Sequence, residues 1–221
     1  MSALHFYESQ IKMPGGSLLG VRSTLVTLNS GESVLISPIR FNDQQIQQIK
    51  SKNVKYIVAP NAFHHLFVKK TAEQLNKPRL YCSPALQKKR ADIEWTASLD
   101  ESAWPFQNEL QLLMIEGSPR VNEAVFYHPE SKTLIVTDLF FNLKNLENSF
   151  TNIVFKLMGT FNKPAVSRLQ NILVKDKTKF KQSLARLLDL NFENLVMAHG
   201  ENITGDAKNI FKAALNERGL V

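Results

Sequence analysis

One cysteine, Cys82, stands among 221 residues, so no internal disulfide can form and stability has to come from a packed core. A lone thiol fits a reducing compartment, and the cytoplasm is the expected location. No apolar run reaches the ~18 residues that a spanning helix needs, and Met1-Ser2-Ala3-Leu4-His5-Phe6-Tyr7-Glu8 carries neither a basic segment nor a sustained apolar one. A soluble, unprocessed chain is expected. Internal repeats, low-complexity stretches, a glycine-rich phosphate loop and long linkers are also missing, so residues 1–221 are expected to form a single domain. Acids are in deficit, 20 against 27 bases, which gives a net charge of +7.

That excess is local. Between Lys156 and Arg186, eight Lys or Arg accompany one acid, Asp176. Such a stretch suits a solvated helical face, an anionic substrate or an acidic lipid surface. Nucleic acid is the weaker reading, because aromatic interleaving and nucleic-acid motifs are absent.

What is present is a 43% hydrophobic chain in which strand and helix signals alternate. Leu25-Val26-Thr27-Leu28, Asn29-Ser30-Gly31-Glu32 and Val34-Leu35-Ile36 read as a hairpin. Asn42 or Asp43 can cap a helix with Ile46 and Ile49 on one face, followed by a strand over 54–59. A helix over 69–76 and a strand over 79–82 come next, then strands over 110–115, 124–127 and 133–136. The last two are joined by a polar loop that places His128 in a solvent-facing turn. Phe150, Ile153, Val154, Leu157 and Met158 fit an amphipathic stripe. It is readable as core, lid, dimer contact or membrane-surface contact. Phe180, Leu184, Leu187 and Leu188 mark a further helix before the strand Leu195-Val196-Met197.

Three strand ends carry the chemistry. Ala59-Pro60-Asn61-Ala62-Phe63-His64-His65 follows one, Thr137-Asp138 another and Ala198-His199-Gly200 the last. Side chains there point into the rim where open α/β sheets bind ligands. Imidazoles and carboxylates suit Zn, and also Fe or Mn, and coordination removes the cost of burying them. Each piece alone has a plain reading: the His pair as loop residues, Asp138 as a helix cap, His199 as a loop residue whose following glycine permits a tight turn.

The order of elements, with Ile36-Ser37-Pro38 and the three pieces above, resembles the metallo-β-lactamase superfamily over nearly the whole chain, in a poorly characterised branch. The resemblance implies an α/β, four-layer αββα sandwich with mixed β-sheets. Its first motif, H-x-H-x-D-H, aligns with Pro60, Ala62, His64 and His65; Asp138 matches the bridging aspartate and His199 the C-terminal histidine. Pro60 and Ala62 cannot ligate, and no His lies near Gly117, so half of a binuclear site is missing. Glu116 is the candidate substitute there. Ser37-Pro38 replaces the aspartate that ends the early strand, which removes the usual support of the His loop.

The resemblance therefore implies one divalent ion, most simply Zn, held by His65, Asp138 and His199 with His64. Asp138 could also act as proton acceptor, in a hydrolase-like protein for a small ester-type substrate. The competing expectation is a non-catalytic member that binds a ligand, partner, second copy or membrane surface through residues 140–186.

Overall fold

The computed structural model describes residues 3–13, 16, 18–144 and 149–221. In chain order the elements are β1 (Ala3–Lys12), β2 (Leu18–Thr27), β3 (Ser33–Ile36), α1 (Asp43–Ser51), β4 (Val54–Ala59), α2 (Val68–Gln74), β5 (Arg79–Cys82) and α3 (Pro84–Lys89). Then follow β6 (Ala97–Ser98), β7 (Gln111–Met114), β8 (Ala124–His128), β9 (Thr133–Val136), β10 (Phe141–Asn142), α4 (Ser149–Met158), β11 (Pro164–Ala165), α5 (Arg168–Leu173), α6 (Lys177–Asp189), β12 (Asn194–Met197) and α7 (Ala207–Glu217).

Two mixed sheets form the centre. One runs β1 to β6 in sequence order, antiparallel as far as β3 and parallel from there on. The other has the order β12-β9-β8-β7, with only β12 and β9 parallel. Strand periodicity explains the layers: Val34, Ile36 and Val58 face Phe126, Ile135 and Val196 between the sheets. The alternate residues Leu35, Ile57 and Leu80 pack outward with Ile49, Val68 and Leu86 from the first three helices. On the far side Val125, Leu134 and Leu195 meet Phe180 and Leu184 of α6 and Phe211 of α7. This is the expected αββα arrangement.

Local signals behave as read. Asn42, not Asp43, caps α1: Gln45 N donates to Asn42 Oδ1 at 2.8 Å and Asn42 N to Gln45 Oε1 at 3.0 Å, a reciprocal capping box.

Several features depart from the sequence reading. β1, α3, β6, β10, β11, α5 and α7 are additional: β1 pairs with β2 over ten residues, and α7 buries Ala207, Phe211, Ala214 and Leu215. His128 is not a solvent-facing turn residue. It is buried at the end of β8, with Nδ1 2.7 Å from Ser131 Oγ, because the loop folds back over the strand. On α4 Thr151 and Phe155 are buried, Val154 and Met158 are half-buried and line a cavity, and Ile153 and Leu157 are exposed, so the stripe is split between the cavity wall and the surface. The Phe150 side chain lies outside the described residues. Among the described residues no helix is long and apolar enough to cross a membrane.

Candidate metal centre

His64, Asp138 and His199 converge from three loops at the edges of the two sheets. His64 Nε2 lies 3.3 Å from Asp138 Oδ2 and 3.3 Å from His199 Nε2, and His199 Nε2 lies 3.4 Å from Asp138 Oδ1.

Each imidazole is oriented through its other nitrogen. His199 Nδ1 donates to the Gly20 carbonyl of β2 at 3.0 Å, which leaves Nε2 with its lone pair facing the cluster. Its ring stacks on Phe141, with centroids 5.5 Å apart and planes 9° apart. Gly200 next to it has φ +98°, and a Cβ there would lie 2.2 Å from the Asn142 carbonyl oxygen, so the His-Gly pair needs its glycine. His64 Nδ1 lies 2.6 Å from Ser37 Oγ. The serine at the end of β3 thus supports the His loop despite replacing an aspartate. Ser37 itself has φ +56°, an uncommon conformation for a residue with a side chain.

Two buried polar residues, neither given a role by the sequence reading, set the relation between loops. Asn61 Oδ1 accepts from the backbone N–H groups of Phe63 and His64 at 2.8 and 2.9 Å, and its Nδ2 donates to Thr137 Oγ1 and Asp138 Oδ2 at 2.9 and 2.8 Å. Glu123 accepts from the backbone N–H groups of Thr137 and Asp138 at 2.7 and 3.0 Å. An Asn one residue after a strand-ending proline is a turn signal. Glu123 gives no local sign of its role.

Electrostatics concentrate here. Burial, with the Asp138 charge, pushes the Glu123 carboxyl up to about 7. Burial opposes ionisation of Asp138, but the two imidazoles outweigh it and hold the carboxyl well below the usual range. Burial likewise opposes protonation of His64, and the Asp138 carboxylate more than offsets it, so its pKa lies above the ordinary histidine value.

His65 is not brought into this cluster. Arg90 Nη1 donates to its Nδ1 at 2.8 Å, and since a guanidinium only donates, the neutral ring carries its proton on Nε2. Burial, then Lys89 and Arg90, lower its pKa to about 4. Both nitrogens are thereby committed and no lone pair is left for an ion. Glu116 is exposed, its backbone N–H bonded to Ser183 Oγ, and it too lies outside the cluster. In the basic stretch, Lys163 pairs with Glu217 and Arg186 with Glu101, so part of that charge is already neutralised.

The three donors fit a metal. Two imidazoles and a carboxylate are a donor set for Zn, Fe or Mn. With one ligand atom from each residue the three lie within 4.8 Å of one another, and the two imidazole Nε2 atoms are 3.3 Å apart, the separation that two ligands of a tetrahedral ion with bonds of roughly 2.0–2.2 Å require.

A family model described as a domain of unknown function, DUF4336, matches residues 10–154. The chain belongs to that family. Ser37, His64 and Asp138 of this DUF4336 protein fall inside the matched segment, and His199 lies beyond it. No curated protein matches the chain in sequence.

Among solved structures, TMB-1 is similar with a TM-score of 0.67 and 13% identity, over 98% of this chain and 94% of its own. The metallo-β-lactamase FIM-1 from Pseudomonas aeruginosa, in a mono-zinc form, gives 0.63 and 13%, over 99% and 92%. The metal-soaked Flv1 flavodiiron core from Synechocystis sp. PCC6803 gives 0.68 and 11%, over 98% of this chain and 59% of that one. The fold is therefore that of the metallo-β-lactamases.

Proposed function

We propose that His64, Asp138 and His199 hold one divalent ion, and that this DUF4336 protein is a metal-dependent hydrolase of a small ester-type substrate. The observation that carries the reading is the gathering of His64 Nε2, His199 Nε2 and the Asp138 carboxylate, each imidazole 3.3–3.4 Å from one of its oxygens, with both histidines oriented from behind. A bound ion would supply Lewis-acid polarisation and lower the pKa of water from ~15.7 towards ~7.

The residues of the chain do the rest. Ser37 and the Gly20 carbonyl fix the two rings. Asn61 fixes Asp138 through Oδ2 while Glu123 fixes its backbone. Asp138 is the carboxylate placed to take a proton from water. The remainder of the cavity wall above the cluster is mostly apolar. The test is hydrolysis of model esters by Zn-, Mn- or Fe-loaded protein, with loss of activity on chelation and in Asp138→Ala. A loaded protein inert towards esters, amides and phosphoesters overturns the reading.

A second reading rests on one contact. Ser37 Oγ, His64 and Asp138 stand in line, Oγ 2.6 Å from Nδ1 and Nε2 3.3 Å from Oδ2, in the order of a serine hydrolase triad. In the absence of metal, Ser37 Oγ would attack the acyl carbon, His64 would take the hydroxyl proton and the departing alkoxide would receive it. Water would then release the acyl group by the same transfers. This reading requires an activity that chelators leave intact and that Ser37→Ala removes.

A further inference from the structure

Above the His64, Asp138 and His199 cluster is a cavity of about 550 Å³, between the β1–β2 hairpin and helices α4 and α5. Its wall is almost wholly apolar: Ile11, Leu19, Phe141, Phe155, Met158 and Leu173 line its interior. Several of these residues, from the hairpin and around α4, pack as one small cluster separate from the three main cores. The mouth is apolar as well. Phe63, Leu66 and Leu169 line the cavity yet remain 49%, 62% and 46% exposed, so they hold apolar surface open to water beside the entrance.

The polar inventory of the wall is correspondingly short. Outside the cluster it comprises Ser37, His65, Lys89, Ser167 and Gln170; Lys89 is an exposed residue whose Nζ donates one of its three hydrogen bonds to the Ala62 carbonyl at 2.6 Å and sits 5.4 Å from the centre of the Phe63 ring. Gln170 borders the cavity at 4% exposure, and its Nε2 is itself buried away from the cavity space, with no hydrogen-bond partner among the described residues. A phosphosugar, nucleotide or peptide would lose more hydration here than the wall can replace.

We propose that the site takes fatty-acyl esters, with the acyl chain along the apolar wall and the ester group at the His64, Asp138 and His199 cluster. The proposal rests on the hydrolytic reading of that cluster and supplies its substrate class. Hydrolysis breaks the acyl C–O bond, joins the water oxygen to the acyl carbon and leaves the water proton on the departing alcohol.

The test separates binding from turnover. Metal-stripped protein is loaded with the fluorescent fatty acid cis-parinaric acid and titrated with methyl esters of increasing chain length. Affinity should rise up to about fourfold per methylene until the chain outgrows the cavity. Val154→Trp, on a half-buried position of α4 that lines the cavity, should shorten the longest chain accepted. A melting curve of the variant confirms folding.

Displacement that ignores chain length, or a chain-length limit unchanged in folded Val154→Trp, overturns the proposal. Metal-loaded protein that cleaves acetate esters as well as long-chain ones also overturns it while leaving the hydrolase reading intact. Chain-length-dependent binding without turnover supports the cavity assignment and removes the hydrolase reading instead.

Discussion

Asn61 reaches from the His64 loop to Asp138, its Nδ2 2.8 Å from Oδ2, while its own Oδ1 holds the backbone N–H of His64 at 2.9 Å. One buried side chain thus sets the distance between two of the three donor-bearing loops. Asn61→Ala leaves two backbone N–H groups and the Asp138 carboxylate short of partners. The expected cost is about 2–4 kcal/mol of stability, read by urea denaturation, together with weaker metal binding. Asn61→Ala with unchanged stability and unchanged metal affinity would remove this residue from the account.

Ser37 holds His64 from behind at 2.6 Å. Ser37→Ala frees the ring to rotate and should weaken metal affinity roughly 10–100-fold in a chelator competition, while the melting temperature of the metal-free protein changes little. Equal affinity in the two proteins would show that His64 is positioned by its loop alone.

His128 should make the protein less stable in mild acid. Burial holds its folded pKa below the free value near 6.5, so the unfolded chain binds the proton more readily. The sign follows directly: the contribution is present above about pH 6.5 and is lost as pH falls through that value towards the folded pKa. Urea midpoints between pH 7.5 and 5.5 should fall more steeply for wild type than for His128→Gln. Parallel curves would show that His128 does not carry the effect.

Cys82 is fully buried at the end of β5, and burial pushes its thiol up to about 12. Iodoacetamide at pH 8 should leave the native protein unlabelled and modify it fully in urea, and the slow native rate then reports opening of the first sheet. Rapid native labelling would mean that this edge of the sheet is open in solution.

The legible parts of the chain are those fixed by neighbours in sequence. Short apolar runs placed β4 and β9 at their observed bounds, and the Asn42 cap is a local signal. The His64, Asp138 and His199 gathering also followed from strand ends, because topology brings such ends to one rim. The choice between His64 and His65 did not, since it is made by Arg90, twenty-five residues further along, which takes the lone pair of His65. Glu123 acts on backbone groups, and Asn61 on the carboxylate, of the distant Asp138 loop, and these contacts leave no periodic trace. On α4, apolar residues surround the helix, so spacing alone omits the buried Phe155 and includes the exposed Ile153 and Leu157.

The most direct test is metal content by elemental analysis of untagged protein repleted with Zn, Mn or Fe. Wild type is compared with His64→Ala, His199→Ala and His65→Ala, each checked for folding. The account predicts near one ion per chain in wild type and in His65→Ala, and loss in both His64→Ala and His199→Ala. Loss in His65→Ala with retention in His64→Ala, or no metal in wild type under repletion, would contradict it.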